Sequence, residues 1–244
     1  MKLFDICYSL YEDFIMTRGI FITATGTDVG KTYVSALLVK KLRDNGINCG
    51  YYKPVLSGAE VHEGRLYPGD CEYVKKIAGL DGEAIQYSSY IFKPAVSPHL
   101  ASIMEDNPIS LDKIKYDFEK LKSKFDYVVV EGAGGITCPM NLAGTNHFLI
   151  GDIIKGLDLS VVFVSDAKLG SINYALLTSE YAKNNGIKVN GIILNRFNSS
   201  DFMQLDNKKQ IESLCNTNII ATVNDDANEL ICDLDSILSI FEEI

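Results

Sequence analysis

The sequence lacks the features that mark nucleic-acid-binding and membrane-spanning proteins. Its formal net charge is −9 at pH 7, and no block of Lys and Arg residues interrupts it. A protein that binds phosphate backbones needs such a basic surface, so we expect no nucleic-acid partner. No apolar run approaches the ~20 residues that cross a bilayer, so we expect no membrane partner. Asp5, Glu12 and Asp13 interrupt the first fifteen residues, which therefore do not match the apolar core of a secretory signal.

Clustered metal ligands and disulfide patterns are also absent from the sequence. The six cysteines are scattered without a Cys-x-x-Cys pair, and His62, His99 and His147 have no ligand spacing. Zinc sites and disulfide frameworks both need paired cysteines at short spacings. We therefore predict reduced thiols and a cytoplasmic location.

What the sequence does contain is an alternation of short apolar runs with longer amphipathic stretches. Runs such as Val128–Val130 and Val161–Val164 are typical of strands buried on both faces of a parallel sheet. We predict one α/β domain over residues 16–244, with residues 1–15 as an N-terminal extension of unknown role. The predicted strands are Gly19–Thr25, Ile47–Lys53, Tyr127–Glu131, Leu159–Ser165, Gly191–Asn195 and Ile219–Val223. The predicted helices are Lys31–Asn45, Cys71–Ala78, Leu111–Ser123, Phe148–Lys155, Ile172–Asn185, Met203–Leu214 and Leu230–Phe241.

The most informative motif is Gly30-Lys31-Thr32, which follows the first predicted strand and opens the first predicted helix. Backbone amides in such a turn, together with the helix dipole, bind a polyphosphate. Lys31 would reach the β- and γ-phosphates, and the Thr32 hydroxyl would bind Mg²⁺. The usual spacing has Gly at position 25, where this chain has Thr25 followed by Gly26. We therefore predict a variant phosphate loop and a P-loop NTPase-like parallel sheet flanked by helices on both faces.

Other polar residues follow the carboxyl ends of predicted strands, where open parallel sheets bind ligands. Glu131 ends a buried strand and could hold Mg²⁺ opposite Thr32, or it could cap the next loop. Asp70 could cap a helix or act as a third oxygen ligand of the metal. Lys53 ends another strand and could stabilise a transferring phosphoryl group, or it could be a solvated lysine. Ser57, which follows it, could bind a substrate amine or carbamate, or lie in an ordinary turn.

Five segments occur in an order that resembles the dethiobiotin synthetase family. They are Thr25–Thr32, Tyr52–Gly58, Ser97–His99, Val130–Gly135 and Lys168–Asn173. The resemblance runs from about Met16 to near residue 244. It implies an ATP- and Mg²⁺-dependent ligase of biotin biosynthesis that carboxylates 7,8-diaminononanoate with CO₂ or bicarbonate. A carbamate and a carbamic–phosphoric anhydride would lead to ring closure, giving dethiobiotin, ADP and phosphate.

The resemblance also implies a role for individual residues. Lys53, Lys31 and Thr27 would be catalytic, and Thr32, Asp70 and Glu131 would arrange Mg²⁺. The family is a homodimer whose substrate pocket straddles the interface. Ser57 and a helix start at Gly170, Ser171, Ile172 and Asn173 would bind the substrate. The residues expected at ATP are Asp28, Val29, Gly30, Lys31, Thr32, Tyr33, Asp70, Glu131, Gly132, Ala133, Gly134, Asn195, Arg196, Val223, Asn224 and Asp225.

The chain departs from the family pattern in two places. Gly26 and Asp28 replace Asp and Gly or Glu of the usual phosphate loop, and the segment 223–225 lacks the Pro of the family's adenine loop. The preferred nucleotide base therefore stays open.

Three other interpretations of the sequence stay open. One is the synthetase half of a cobyrinate amidase, although this chain has no room for a glutaminase domain. The second is a regulatory ATPase of the chromosome- or division-site-positioning type, which usually has a lysine where this chain has Gly26. The third is a nucleotide-binding protein without catalytic activity, against which the presence of Lys31, Thr32, Lys53 and Glu131 argues.

Overall fold

The structure, a computed structural model, describes residues 16–142 and 147–244. The prediction of an extension over residues 1–15 lies outside these residues. Seven parallel strands form the main sheet in the order β11-β10-β9-β1-β6-β2-β5, and a short strand β12 pairs antiparallel with the start of β1. Their bounds are β1 Arg18–Ala24, β2 Cys49–Ser57, β5 Ser88–Phe92, β6 Tyr127–Glu131, β9 Val161–Ser165, β10 Val189–Asn195, β11 Ile219–Val223 and β12 Glu242–Glu243.

Helices cover both faces of this sheet. Successive residues of a strand point to opposite faces, and Ile20, Phe21 and Ile22 of β1 are all fully buried. The predicted α/β fold is therefore confirmed, and the core lies on both sides of β1, β6 and β9. The helices are α1 Lys31–Asp44, α2 Gly69–Ala78, α3 Pro98–Met104, α4 Leu111–Lys122, α5 Ile150–Gly156, α6 Ser171–Asn184, α7 Phe202–Cys215 and α8 Leu234–Leu238.

Two small hairpins accompany the sheet. The first, β3 Glu60–His62 with β4 Arg65–Tyr67, lies between β2 and α2. The second pairs β7 Pro139–Asn141 with β8 Phe148–Leu149. Among the described residues, no helix combines the length and hydropathy needed to span a bilayer.

The structure corrects several predictions of secondary structure. The strand predicted to end at Lys53 continues to Ser57, and the helix predicted from Phe148 begins at Ile150, because Phe148 and Leu149 pair as strand β8. The sequence pattern does not predict the edge strand β5, which pairs with β2. The helix predicted over Leu230–Phe241 is wrong, because only the single turn α8 is helical there. Asp233 caps that turn through its side chain, accepting a hydrogen bond from the Ser236 amide, so the helix begins several residues later than the apolar pattern suggests.

The register of the central strands brings the predicted site residues together. Ile22 of β1 lies beside Glu131 of β6, and Tyr52 of β2 lies beside Val130. The carboxyl ends of all three strands therefore lie at one edge of the sheet, next to the loop between β1 and α1.

Candidate active site

The phosphate loop depends on a glycine at position 30. Gly30 has φ +89°, and a Cβ there would lie 2.2 Å from Nδ2 of Asn195. Asn195 fits under the loop and donates from Nδ2 to the Val29 carbonyl at 2.9 Å, while Arg196 Nη1 donates to the Asp28 carbonyl at 2.9 Å. Two residues at the end of β10 thus hold the loop in place.

Residues predicted to contact the nucleotide base gather on the β10–β11 side of this loop. The amide of Phe197 donates to the Val223 carbonyl at 2.8 Å, and Arg196 Nε lies 3.9 Å from Oδ1 of Asp225. The Tyr33 hydroxyl donates to the Ala227 carbonyl just beyond Asp225. The exposed Asn224 lies in the same segment. Sequence reasoning did not foresee that Asn195 and Arg196 also brace the phosphate loop.

Lys53 connects two carboxylates at the other side of the loop. Its Nζ lies 2.5 Å from Oδ2 of Asp70 and 2.7 Å from Oε1 of Glu131. Lys53 is 3% exposed and Glu131 is fully buried. The same Oε1 accepts a hydrogen bond from Thr32 Oγ1 at 2.7 Å. The structure therefore joins Thr32, Lys53, Asp70 and Glu131 in one cluster, and Lys53 is not the solvated lysine of the alternative interpretation.

Burial and charge shift the pKa values of this cluster. Burial disfavours the ammonium of Lys53, but the carboxylates of Glu131 and Asp70 outweigh it and raise the pKa of Lys53. Burial, followed by repulsion from Lys53, lowers the pKa of Lys31. Burial opposes the ionised form of Asp70, but Lys53 and Thr32 overcome it and lower the pKa of Asp70. The site thus holds two cations and two carboxylates, and Lys31 is the cation without a direct ion pair of its own in the part of the chain that the structure describes.

The helix-capping interpretation of Asp70 is wrong. Helix α2 begins at Gly69, its N-cap is Pro68, and no side chain within the described ranges caps it. Asp70 lies in the first turn, and its carboxylate binds Lys53 instead. The sequence pattern starts this helix at Cys71, which would have placed Asp70 at the cap.

Sequence reasoning missed Tyr51. Its hydroxyl donates to Oε2 of Glu131 at 2.9 Å, and the residue is fully buried. Burial, followed by the charge of Glu131, raises the pKa of Tyr51, so the hydroxyl keeps its proton. The signal was present in the spacing, because residues two apart in a strand share a face and Tyr51 precedes Lys53 by two.

A cavity of about 260 Å³ opens over the cluster and the phosphate loop. Its lining of Lys31, Lys53 and the amides of the phosphate loop suits an anionic ligand such as a polyphosphate. Gly132 packs behind the site instead: a Cβ there would lie 2.8 Å from the Phe21 ring, so this glycine permits close packing. The lining residues are Thr27, Asp28, Gly30, Lys31, Thr32, Lys53, Ser57, Asp70, Glu131, Ala133 and Gly134.

The segment predicted to bind the substrate carboxylate is placed elsewhere. Gly170, with φ +94°, is the N-cap of α6, and the Ser171 amide donates to the Lys168 carbonyl at 3.0 Å. Ile172 and Asn173 occupy the next positions of the first helical turn, whose amides lack partners within a helix. Among the described residues that line the cavity, none comes from 170–173. In one chain, this segment is not brought together with the other predicted site residues.

Exposed apolar side chains surround that helix start. Leu169 is 88% exposed, Tyr174 is 57% exposed and Leu177 is 61% exposed. Three apolar side chains beside this helix start are therefore available for contact with solvent or another molecule.

Comparisons with solved structures agree on the fold. The septum site-determining protein MinD of Pyrococcus horikoshii, complexed with Mg-ADP, superposes with a TM-score of 0.55 at 17% identity, covering 86% of this chain and 82% of that one. A ParA family ATPase from Chlorobium tepidum gives a TM-score of 0.53 at 18% identity, covering 92% and 89%. At these identities the likeness extends to the fold alone, which is that of P-loop NTPases.

Comparisons of sequence are more specific. A family model described as an AAA domain matches residues 18–228. The ATP-dependent dethiobiotin synthetase BioD of Clostridium botulinum (strain Langeland) is 47% identical over 230 residues, covering 94% of this chain and 100% of that protein. The ATP-dependent dethiobiotin synthetase BioD of Clostridium perfringens (strain 13) is 48% identical over 208 residues, covering 85% and 91%. The chain therefore belongs to the family of ATP-dependent dethiobiotin synthetases.

Proposed function

We propose that this protein is an ATP-dependent dethiobiotin synthetase of biotin biosynthesis. The observation that carries the proposal is the position of Lys53, which bridges Glu131 and Asp70 beside the phosphate loop. A buried cation at this place can stabilise both a carbamate and the charge that develops on a transferring phosphoryl group. The family membership supplies the substrates, which are 7,8-diaminononanoate, CO₂ and ATP.

The reaction has three bond-forming steps. An amine nitrogen of the diamine attacks CO₂ and loses a proton, giving a carbamate. A carbamate oxygen attacks the γ-phosphorus of ATP, and ADP leaves. The second amine then attacks the carbonyl carbon of the mixed anhydride and loses a proton, expelling phosphate and closing the cyclic urea.

The residues of the cavity divide these tasks. Lys31 and the amides of the phosphate loop bind the β- and γ-phosphates. Lys53 binds the carbamate and the γ-phosphate, and its charge favours the carbamate over the free amine. Thr27 and Ser57 line the same cavity and would orient the reacting end of the diamine. Holding both reactants beside one another supplies much of the rate acceleration.

The donor set fits Mg²⁺. Thr32, Asp70 and Glu131 offer only oxygen atoms, which this ion prefers. Within residues 16–142 and 147–244, no group of three or more His, Cys, Asp and Glu residues could hold a metal ion alone. Thr32, Asp70 and Glu131 would therefore hold the ion only together with a bound nucleotide. Bound Mg²⁺ would neutralise charge on the β- and γ-phosphate oxygens.

A homodimer would complete the substrate pocket. The amides of Ile172 and Asn173 lie in the first turn of α6, where helix amides can bind an anion, but they lie outside their own chain's cavity. Exposed Leu169, Tyr174 and Leu177 beside them suit a second copy of the chain. In such a dimer, the helix start of one subunit would bind the carboxylate of a diamine whose amines reach Lys53 of the other. We place the enzyme in the cytoplasm, where its thiols would stay reduced.

The test is phosphate release by the purified chain with Mg-ATP and bicarbonate, with and without 7,8-diaminononanoate, followed by mass spectrometry of the product. Diamine-dependent release together with a cyclic urea product is expected. ATP hydrolysis at the same rate with and without the diamine would instead indicate a regulatory ATPase. No ATP turnover would indicate a nucleotide-binding protein without catalytic activity.

A further inference from the structure

The carboxylate of Glu131 is fully buried, and it accepts three hydrogen bonds from side chains. Thr32 and Lys53 bind Oε1, each at 2.7 Å, while Tyr51 binds Oε2 at 2.9 Å. Only the first two donors belong to the residues expected at the phosphates and the metal. Tyr51 contacts the opposite oxygen of the carboxylate.

In this contact the Tyr51 hydroxyl donates and the Glu131 oxygen accepts. Tyr51 belongs to β2, which pairs in parallel with β6, and its partner in the register is Val129, two residues before Glu131. Its ring is fully buried and cannot swing away without opening the core. The hydroxyl therefore has one position, and it fixes one of the two carboxylate oxygens.

We propose that Tyr51 is a positioning residue of this site, which orients the Glu131 carboxylate so that Oε1 stays at Thr32 and Lys53, in the cluster that would hold Mg²⁺. This inference rests on the proposed function, because it assumes that Glu131 helps to bind Mg²⁺ with the nucleotide. Partners that fix a metal-binding carboxylate typically change metal affinity about 10- to 100-fold when they are removed. Tyr51 touches no reacting atom and acts only through Glu131.

The chain offers a matched control in the next residue. Tyr52 is also buried in β2 and also uses its hydroxyl, contacting Ser89 Oγ at 2.5 Å and the Ile114 carbonyl at 3.1 Å. Because neighbours in a strand point to opposite faces, Tyr52 does not reach Glu131. Replacing either tyrosine by phenylalanine removes a buried hydroxyl, but only Tyr51→Phe also removes the hydrogen bond to Glu131.

The experiment measures binding of a non-hydrolysable ATP analogue by calorimetry, once with excess Mg²⁺ and once with EDTA. The wild-type chain, Tyr51→Phe and Tyr52→Phe are compared as full-length proteins. We expect Tyr51→Phe to bind the analogue about tenfold more weakly with Mg²⁺ and equally well in EDTA. Tyr52→Phe should match the wild type in both conditions.

A structural role alone would weaken binding equally in both conditions, and either that result or no change would overturn the proposal. If the wild-type chain binds the analogue equally well with Mg²⁺ and with EDTA, that result would instead contradict the metal site of the proposed function. A double-variant comparison adds a further readout: the effect of Tyr51→Phe should disappear when Glu131→Gln is already present. If Tyr51→Phe does not fold, Tyr51→Met fills much of the same space without a hydroxyl and undergoes the same comparison.

Discussion

The ammonium of Lys53 lies 2.7 Å from Oε1 of Glu131, and this oxygen is also the one that accepts from Thr32. A carboxylate that would help to hold Mg²⁺ is thus already bound by a cation of the protein itself. Lys53 neutralises two carboxylates that would otherwise repel one another beside an anionic ligand. The charge of Lys53 is also positioned to act on the phosphoryl group once another cation binds the carboxylates of Asp70 and Glu131.

Replacing Lys53 should separate catalysis from nucleotide binding. We expect Lys53→Gln to lower kcat by about a hundredfold or more, because it removes a fixed charge that is needed most in the transition state. Calorimetry should still detect ADP binding, since the phosphate loop is intact. Lys40→Gln, which removes a surface lysine of α1 paired with Asp44, is the control and should keep full activity. Loss of ADP binding with unchanged turnover would contradict this role for Lys53.

Gly30 should not tolerate a side chain. We expect Gly30→Ala to abolish measurable nucleotide binding, because the new Cβ would lie 2.2 Å from Asn195 Nδ2 and displace the residue that holds the loop. The control is Gly46→Ala, where φ is +78° and the added methyl group would have no described atom within 4 Å beyond its chain neighbours. Both variants bear the left-handed strain of about 1–2 kcal/mol, so it cancels in the comparison. ADP titrations followed by thermal shift distinguish them, and equal affinities would refute the steric argument.

The contact between Asp70 and Lys53 should give acid-dependent stability. The pKa of Asp70 is lowered below its ordinary value of 3.8 in the folded protein. The stabilisation is therefore fully present above that value and is lost as the pH falls through the lower, folded-state pKa. We expect urea unfolding to show Asp70→Asn less stable than the wild type at pH 7, with the difference shrinking below about pH 4. A difference that stays constant with pH would mean that the ion pair does not contribute.

The first turn of α6 should bind the substrate through its backbone. We expect Asn173→Pro to weaken diamine binding about tenfold, because one amide that could donate to a carboxylate is lost. Asn173→Ala removes the side chain, keeps the amide and serves as the control. The KM for the diamine and the KM for ATP are measured for both variants. If the wild type, Asn173→Pro and Asn173→Ala have the same KM for the diamine, the substrate carboxylate does not bind at this helix start.

The sequence predicts the parts of the site that depend on signals close together in the chain. The run from β1 through Gly30 into α1 carries its own signals, which are an apolar strand, a glycine that can take a positive φ and an amphipathic helix. The position of Glu131 is also predictable, because it ends an apolar run and strand ends meet at one edge of a parallel sheet. Lys53 does not end its strand as predicted, since β2 continues to Ser57, but its ammonium still contacts Glu131 on the neighbouring strand.

The parts that it does not predict depend on tertiary contacts. Ser88–Phe92 follows a turn of 3₁₀-helix and forms a strand only because the edge of β2 is available for pairing. Tyr51 resembles any core aromatic until the register of β2 and β6 places its hydroxyl at Glu131. The function of Asp70 likewise depends on the exact start of α2, which sequence patterns place only to within a few residues.

The pairing of β1 with β6 and β9 has a consequence for synthesis on the ribosome. Arg18 of β1 pairs with Tyr127, and Phe21 pairs with Val161. Strand β1 can therefore pair with its neighbours only after much later segments of the chain have been synthesised. While they are missing, a nascent chain carries a complete Gly30-Lys31-Thr32 motif that has no sheet to hold it and no Asn195 beneath it. The loop that binds nucleotide is therefore assembled only after most of the polypeptide has emerged.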